Sequence, residues 1–189
     1  KLGIDILIWG TVSDLSSTEI KILANLLNLR TKNINQFSFN LKKKSSDRQA
    51  GLKKELIDKI EELVGGEIIR LFKIGEQHLG AQNYSGAEEM FKQVINIDPK
   101  NVDAYFYLGY IRFMKNDFEG AEDYYQRGLD INPNDERLLN NIAEAQRKED
   151  KNLEAIANLE KLAELKKDEM VWLRIGNIYN DINYVDEAI

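Results

Sequence analysis

Apolar residues in the second two-thirds of the chain recur at helical spacing, and the whole pattern then repeats. Leu71, Ile74 and His78 mark one face of a first helix, and Tyr105, Leu108 and Ile111 mark the same helix of the next copy. Each is followed by a short turn of turn-forming residues, Gln82-Asn83 and Asn116-Asp117. A second helix follows, carrying Ala87, Phe91 and Val94 in one copy and Ala121, Tyr125 and Gly128 in the other. Residues 68–101 and 102–135 superpose without a gap: Gly75/Gly109, Ala87/Ala121, Phe91/Tyr125 and Pro99/Pro133 are each 34 apart. A third copy, 136–168, is one residue short and has Ala143 in place of the glycine and Lys167 in place of the proline. A fourth, 169–189, carries Trp172, Ile175, Gly176, Tyr179 and Ala188. The small pairs Gly75/Ala87, Gly109/Ala121, Ala143/Ala155 and Gly176/Ala188 all lie 12 apart, which predicts hairpins whose two helices cross closely there. Pro99 and Pro133 are expected to end each second helix and to set up the next first helix.

The first 66 residues have another rhythm. Residues 4–13 read as a largely buried strand, and 34–42 alternate, with Phe37, Phe39 and Leu41 on one face. Residues 18–30 fit two templates. Ser16 and Glu19 form a capping-box pattern before Ile20, Leu23 and Leu27 at helical period, whereas Ile20, Ile22, Ala24 and Leu26 fit a strand. Residues 47–64 read as an amphipathic helix with Leu52, Leu56, Ile60 and Leu63 on one side, expected to end at Gly65-Gly66. The predicted divisions are therefore 1–46, 47–66 and 67–189.

The 34-residue pattern resembles the tetratricopeptide repeat over residues 67–189. The resemblance implies a mostly α fold: a right-handed α-solenoid, here preceded by a small partial α/β segment of antiparallel strands plus a helix. It also implies a concave groove lined from each first helix, at the second, fifth, ninth, twelfth and thirteenth repeat positions. Carried over, these are Ile69, Phe72, Glu76 and Leu79 in the first copy, and Asp103, Phe106, Tyr110, Phe113 and Met114 in the second. The third offers Arg137, Asn140, Glu144, Arg147 and Lys148, and the fourth Met170, Leu173, Asn177, Asn180 and Asp181. One subgroup of the family grips a C-terminal carboxylate with Lys and Asn side chains from successive repeats. The corresponding places here hold Phe72, Glu76 and Tyr107, so such a clamp is not expected. Phe72, Phe106, Tyr110, Phe113 and Met114 instead form an apolar, largely aromatic stripe suited to an apolar or helical peptide. The competing reading is that neighbouring helices already cover the stripe.

A second resemblance covers residues 1–64. The stretch LGIDILIWGTVS, with a strand ending at Gly10, and TEIKILANLLNLRTKNINQFSF, with the motif Leu27–Asn33, are similar to the closing strands of the TolB-N-terminal/FlgO/CsgG-like α/β family. Lys32 or Asn33 stands where glycine is usual. The front half of such a domain would be missing. This resemblance favours the strand for 18–30. It also implies a bacterial, envelope-associated or periplasmic setting, since many members are envelope lipoproteins.

Charge sharpens the division. Residues 1–66 carry 11 Lys/Arg and 8 Asp/Glu, and residues 67–189 carry 15 and 24. The acidic array is a poor binder of nucleic acid, because it repels phosphate. The run Lys42-Lys43-Lys44 reads as a solvated strand end or loop. No apolar run is long enough to span a bilayer. The chain has no cysteine, and its one histidine, His78, is expected to be buried between packed helices. Gly65-Gly66 lacks the lysine and hydroxyl residue of a phosphate loop. The adjacent acids Glu61/Glu62, Glu88/Glu89 and Glu122/Asp123 point apart on a helix and read as solvated charges rather than an acid/base pair. No catalysis, cofactor or metal is expected. The first residue is Lys1 and Ile189 falls early in a fourth second-helix, so a longer parent protein is expected. The expected function is a protein-interaction scaffold. The alternatives are a regulatory region of a larger intracellular signalling enzyme and a self-assembling, homo-oligomeric structural protein.

Overall fold

The computed structural model describes residues 6–14, 19–28, 34–42 and 48–186. The start of the first expected strand, Ser16 of the capping box, the Leu29–Asn33 end of the second motif, Lys43-Lys44 and Ala188 lie outside the described residues. The chain divides into two compact units, residues 1–73 with 96–99, and residues 74–95 with 100–189.

The first unit contains a three-stranded antiparallel sheet in the order β1 (Ile6–Asp14), β2 (Glu19–Asn28), β3 (Ile34–Lys42). Of the two conformations open to residues 18–30, the described residues among them, 19–28, adopt the strand. As the central strand, β2 pairs along its length with β1, from Ile6↔Asn28 to Asp14↔Ile20, and with β3, from Glu19↔Lys42 to Leu27↔Ile34. A helix there would leave two strands without a partner for their backbone donors and acceptors. The register also sets apolar residues opposite one another: Ile22 opposite Val12 and Phe39, Ala24 opposite Phe37.

Helix α1 spans Arg48–Gly80, 33 residues, and corrects the expected stop at Gly65-Gly66. No glycine among the described residues has positive φ, so neither one forms the left-handed cap. Two glycines inside a helix cost about 1 kcal/mol each. That is less than re-nucleating a second helix a few residues later would cost, since closing a first turn is the unfavourable step.

The second unit is a chain of helical hairpins. Its further helices are α2 (Tyr84–Ile97), α3 (Val102–Met114), α4 (Phe118–Ile131), α5 (Glu136–Lys148), α6 (Asn152–Lys166) and α7 (Glu169–Asp186). From α3 onward each helix packs on the next, and α3 also meets α5. The turn inside each hairpin holds one left-handed residue at an equivalent place: Gln82, Asn116 and Asp150, with φ of 55°, 59° and 58°. The next residue caps the second helix in two cases. Asn83 accepts from the Gly86 amide and Asp117 from the Gly120 amide, both at 3.0 Å. In the third hairpin Lys151 occupies that place and makes no side-chain cap.

Pro99 and Pro133 follow the ends of α2 and α4 by two residues, as expected, but they do not begin the next helices. Three side chains at equivalent positions do. Asn101 accepts from the Ala104 amide at 3.0 Å, Asp135 from Arg137 and Leu138 at 3.0 and 3.2 Å, and Asp168 from Met170 at 2.9 Å. Lys167, standing where the proline is missing, ends α6 in the left-handed conformation at φ 52°.

The small residues of the first helices make room for rings. A Cβ on Gly75 would sit 2.7 Å from Phe91, and one on Gly109 only 2.4 Å from Tyr125. In the third hairpin alanine replaces the glycine, as Ala143, and the residue 16 further on is Leu159 instead of an aromatic. All of Phe91, Tyr125, Ala143 and Leu159 are fully buried. The core runs on through Leu129, Leu138, Leu139, Ile142, Ile156, Leu162, Val171, Ile175 and Ile178.

Candidate functional site

The residues expected to line a groove fall on α1, α3, α5 and α7, and the structure splits them into packed and open sets. Phe106 and Phe113 are partly buried against the core. Phe106 meets Tyr107 edge-on at 5.4 Å and Tyr125 at 6.3 Å, and Phe113 meets Phe118, from the start of α4, edge-on at 5.2 Å. Tyr110 and Met114 on the same helix stay open, 36% and 42% exposed. Phe72 is half-buried and belongs to the first unit.

Where the family's clamp would supply Lys and Asn, the side chains are engaged internally. Tyr107 stacks on Phe91 at 4.7 Å, with the ring planes 5° apart, and its hydroxyl donates to Glu76 at 3.2 Å. Burial, then the Glu76 carboxylate, pushes the Tyr107 hydroxyl pKa up, so it stays a donor.

The charged groove residues pair along the array. The Arg137 guanidinium donates to Asp103 at 2.7 Å and to Asp135 at 2.9 Å, and lies 5.1 Å over the Phe106 ring. Its hydrogen bonds to the Asp135 and Asp103 carboxylates push its pKa further up. Asn140 accepts from Arg174 at 2.8 Å, and Glu144 forms an ion pair with the same guanidinium. Arg147 reaches Asp181 at 3.9 Å. Phe106, Arg137, Asn140 and Arg174 thus come together around one cavity of about 430 Å³, also lined by Glu136, Asn141, Leu162, Lys166, Asp168, Met170 and Val171. Arg174 was not among the residues expected from repeat position. Its signal was the spacing of opposite charges, 30 residues from Glu144.

Two acids read as solvated charges are ion-paired instead. Glu88 accepts from Lys92 at 2.6 Å, Arg112 at 2.7 Å and Lys115 at 2.9 Å, with its side chain 13% exposed. Burial opposes its ionisation, but the donors Lys92 and Lys115 and the charges of Lys92 and Arg112 overcome it and hold the pKa at about 2. Glu122, 34 residues on, accepts from Gln146 at 2.8 Å and Lys151 at 2.7 Å. Each staples the second helix of one hairpin to the next hairpin. His78 is half-buried rather than buried; its Nδ1 lies 3.1 Å from the Asn83 amide nitrogen, at the hairpin turn.

Among the described residues no group of His, Cys, Asp and Glu is placed to hold a metal ion. No described helix is long and apolar enough to cross a membrane.

A family model described as tetratricopeptide repeat matches residues 78–145. No curated protein sequence matches the chain. Among solved structures, the first tetratricopeptide domain of RPAP3 (Spaghetti) bound to the HSP90 peptide SRMEEVD is similar, with 17% identity, 62% of this chain and 94% of that chain covered, and a TM-score of 0.58. The Yersinia enterocolitica type III secretion chaperone SycD, in complex with a peptide of the translocator YopD, is similar with 17% identity, coverages of 62% and 92%, and a TM-score of 0.54. An O-GlcNAc transferase mutant of Thermobaculum terrenum is similar with 18% identity over 56% of this chain and 20% of that chain, at a TM-score of 0.52. At these identities the likeness establishes the fold, a tetratricopeptide-type helical array.

Proposed function

We propose that residues 67–189 are a protein-interaction scaffold that holds a peptide of a partner protein along the exposed faces of α3, α5 and α7. One observation carries this reading. Tyr110, Met114, Met170 and Leu173, four large apolar side chains at groove positions, remain 36%, 42%, 64% and 57% exposed while the helices that bear them are otherwise packed. Apolar surface left open on a rigid scaffold is what a binding face requires. The similar RPAP3 and SycD structures each hold a peptide, which supports the same use here. The acidic balance of the array disfavours nucleic acid as the ligand.

The setting is read from the first unit. An antiparallel β1-β2-β3 sheet followed by a helix is compatible with the end of a TolB-N-terminal/FlgO-like α/β domain, and with it a bacterial envelope assembly. A second reading, the regulatory region of a larger enzyme, is favoured by the likeness to part of an O-GlcNAc transferase.

The test is selection of displayed random peptides on the full chain, then titration of the binders. In Tyr110→Ala/Met114→Ala, binding should weaken about tenfold or more with the melting temperature unchanged. Binding unaffected by that double variant, or no selected peptide, would sink the reading.

A further inference from the structure

The charges around the cavity between α3, α5, α6 and α7 are closed on one another. Its lining holds three cations, Arg137, Lys166 and Arg174, and two carboxylates, Glu136 and Asp168. Lys166 pairs with Glu136 at 3.4 Å, and Asp168 caps α7 through the Met170 amide. Arg137 is held by Asp103 and Asp135, and Arg174 by Glu144, all three outside the lining. A charged group of either sign arriving there meets partners that already have a counter-charge. What the interior offers is apolar surface, from Phe106, Leu162, Met170 and Val171, in a volume of about 430 Å³.

Two neutral hydrogen-bonding atoms are left over. Asn140 Oδ1 accepts from Arg174 at 2.8 Å. A guanidinium only donates, so this contact assigns the amide and leaves Asn140 Nδ2 as a donor with no partner among the described residues. Asn141 Nδ2 donates to the Arg137 backbone carbonyl at 2.7 Å. A carbonyl only accepts, so Asn141 Oδ1 is left as an acceptor, again with no partner among the described residues. Both side chains are half-buried in the cavity lining, and neither free atom is sealed from solvent as the Tyr125 hydroxyl is. One reachable donor and one reachable acceptor, both uncharged, complement the C=O and N–H of a peptide backbone. A helical ligand has already used those groups in its own turns, whereas an extended one presents them.

We infer that this cavity holds an extended, uncharged stretch of the bound peptide. A large apolar side chain fills the interior, and the backbone beside it places a C=O on Asn140 and an N–H on Asn141. The inference rests on the groove reading above and names the conformation and chemistry of its ligand.

The experiment uses the full chain and a displayed library of random peptides about 12 residues long, with the selected peptides then synthesised. In each peptide the backbone amides are replaced one at a time by esters, which removes an N–H and keeps every side chain. That arm needs no change to the protein. Asn141→Leu removes the acceptor, and Met170→Trp fills the cavity from a residue that is 64% exposed. Trp172→Ala changes an exposed residue of α7 outside the cavity. Thermal melts establish which variants are folded. The expected result is a recurrent large uncharged residue, no helix gained on binding by circular dichroism, and one ester position beside that residue that weakens binding about fivefold. Asn141→Leu should weaken the all-amide peptide by about the same factor, and the ester should then cost nothing more. Met170→Trp should cost about tenfold, and Trp172→Ala nothing. Peptides that turn helical when bound, a charged residue at the required position, or esters that never matter would each overturn the inference. So would ester and Asn141→Leu losses that multiply. If such binders are still weakened by Tyr110→Ala/Met114→Ala, the scaffold reading stands without this pocket. A library that gives no binder overturns both.

Discussion

Replacing Gly109 by alanine tests whether each hairpin is keyed by one small residue and one ring. The added Cβ would lie 2.4 Å from Cε1, 2.5 Å from Cδ1 and 2.9 Å from Cζ of Tyr125. Carbon pairs normally sit about 3.5–4.0 Å apart, so the ring must retreat by about 1 Å. Tyr125 is fully buried and has little room to do so. Overpacking of this kind costs about 1–3 kcal/mol, while alanine gains about 1 kcal/mol in helix propensity, leaving a net loss of about 0–2 kcal/mol. Tyr125→Leu alone opens a cavity costing about 2–4 kcal/mol. Part of that is recovered, because the Tyr125 hydroxyl is buried with no hydrogen-bond partner. Tyr125→Phe, which copies Phe91 of the first hairpin, isolates that hydroxyl and should be neutral or stabilising by about 1 kcal/mol. The double variant Gly109→Ala/Tyr125→Leu copies the Ala143/Leu159 pair of the third hairpin. It should be no less stable than Tyr125→Leu, giving a coupling energy of about 1–3 kcal/mol. Urea unfolding followed by far-ultraviolet circular dichroism measures all four variants. The slope is checked in each, because repeat arrays can unfold in pieces. Losses that add to within about 0.5 kcal/mol would refute the keying argument.

The Glu88 staple predicts a pH dependence. Its folded pKa of about 2 lies below the unfolded value of 4.5, so its stabilisation is present above pH 4.5 and is lost as pH falls toward 2. Glu88→Gln should therefore cost about 2–3 kcal/mol at neutral pH and almost nothing near pH 2, and make the acid limb of a stability profile shallower. An equal cost at both pH values would exclude the ion pairs as its source. Lys167→Gly should stabilise by about 0.5–1 kcal/mol in thermal melts, because Lys167 holds a left-handed backbone at φ 52° where glycine carries no Cβ penalty. A destabilised Lys167→Gly would mean that the lysine side chain contributes more than its backbone costs.

The hairpins were legible because their two determinants, a small residue and a bulky one, sit at fixed offsets within one repeat. Boundaries were less so. Prolines drew attention as helix starts, yet the starts belong to Asn101, Asp135 and Asp168, whose capping oxygens are at least as regular. Gly65-Gly66 was misread because a glycine pair looks like a stop, while a long helix absorbs its local cost. Glu88 and Glu122 look solvated beside their sequence neighbours, whereas their partners, Lys92 apart, lie 24 to 29 residues away. In the groove, repeat position placed Phe113 beside Tyr110 and Met114. Its partial burial depends on Phe118, a residue of the next helix that no single-helix pattern includes.

What makes a hairpin differs from what joins two of them. The Gly/aromatic pair lies within one hairpin and is carried by packing. The Glu88 and Glu122 staples lie between hairpins and are carried by charge. The next equivalent position is Ile156, which is buried, so the third junction has no staple from its second helix; its ion pairs, Arg174–Glu144 and Arg147–Asp181, join first helix to first helix instead. Burial is roughly indifferent to rotation about a contact, but two donors of the next hairpin converging on one carboxylate fix it. At the first two junctions the staple from the second helix sets that angle. These junctions fix how Tyr110 and Met114 of α3 are presented, between the hairpin before and the hairpin after. A partner that recognises shape along this face would thus depend on Glu88 and Glu122 without touching either, because nearest-neighbour geometry in an array of repeats is what gives its binding surface its curvature.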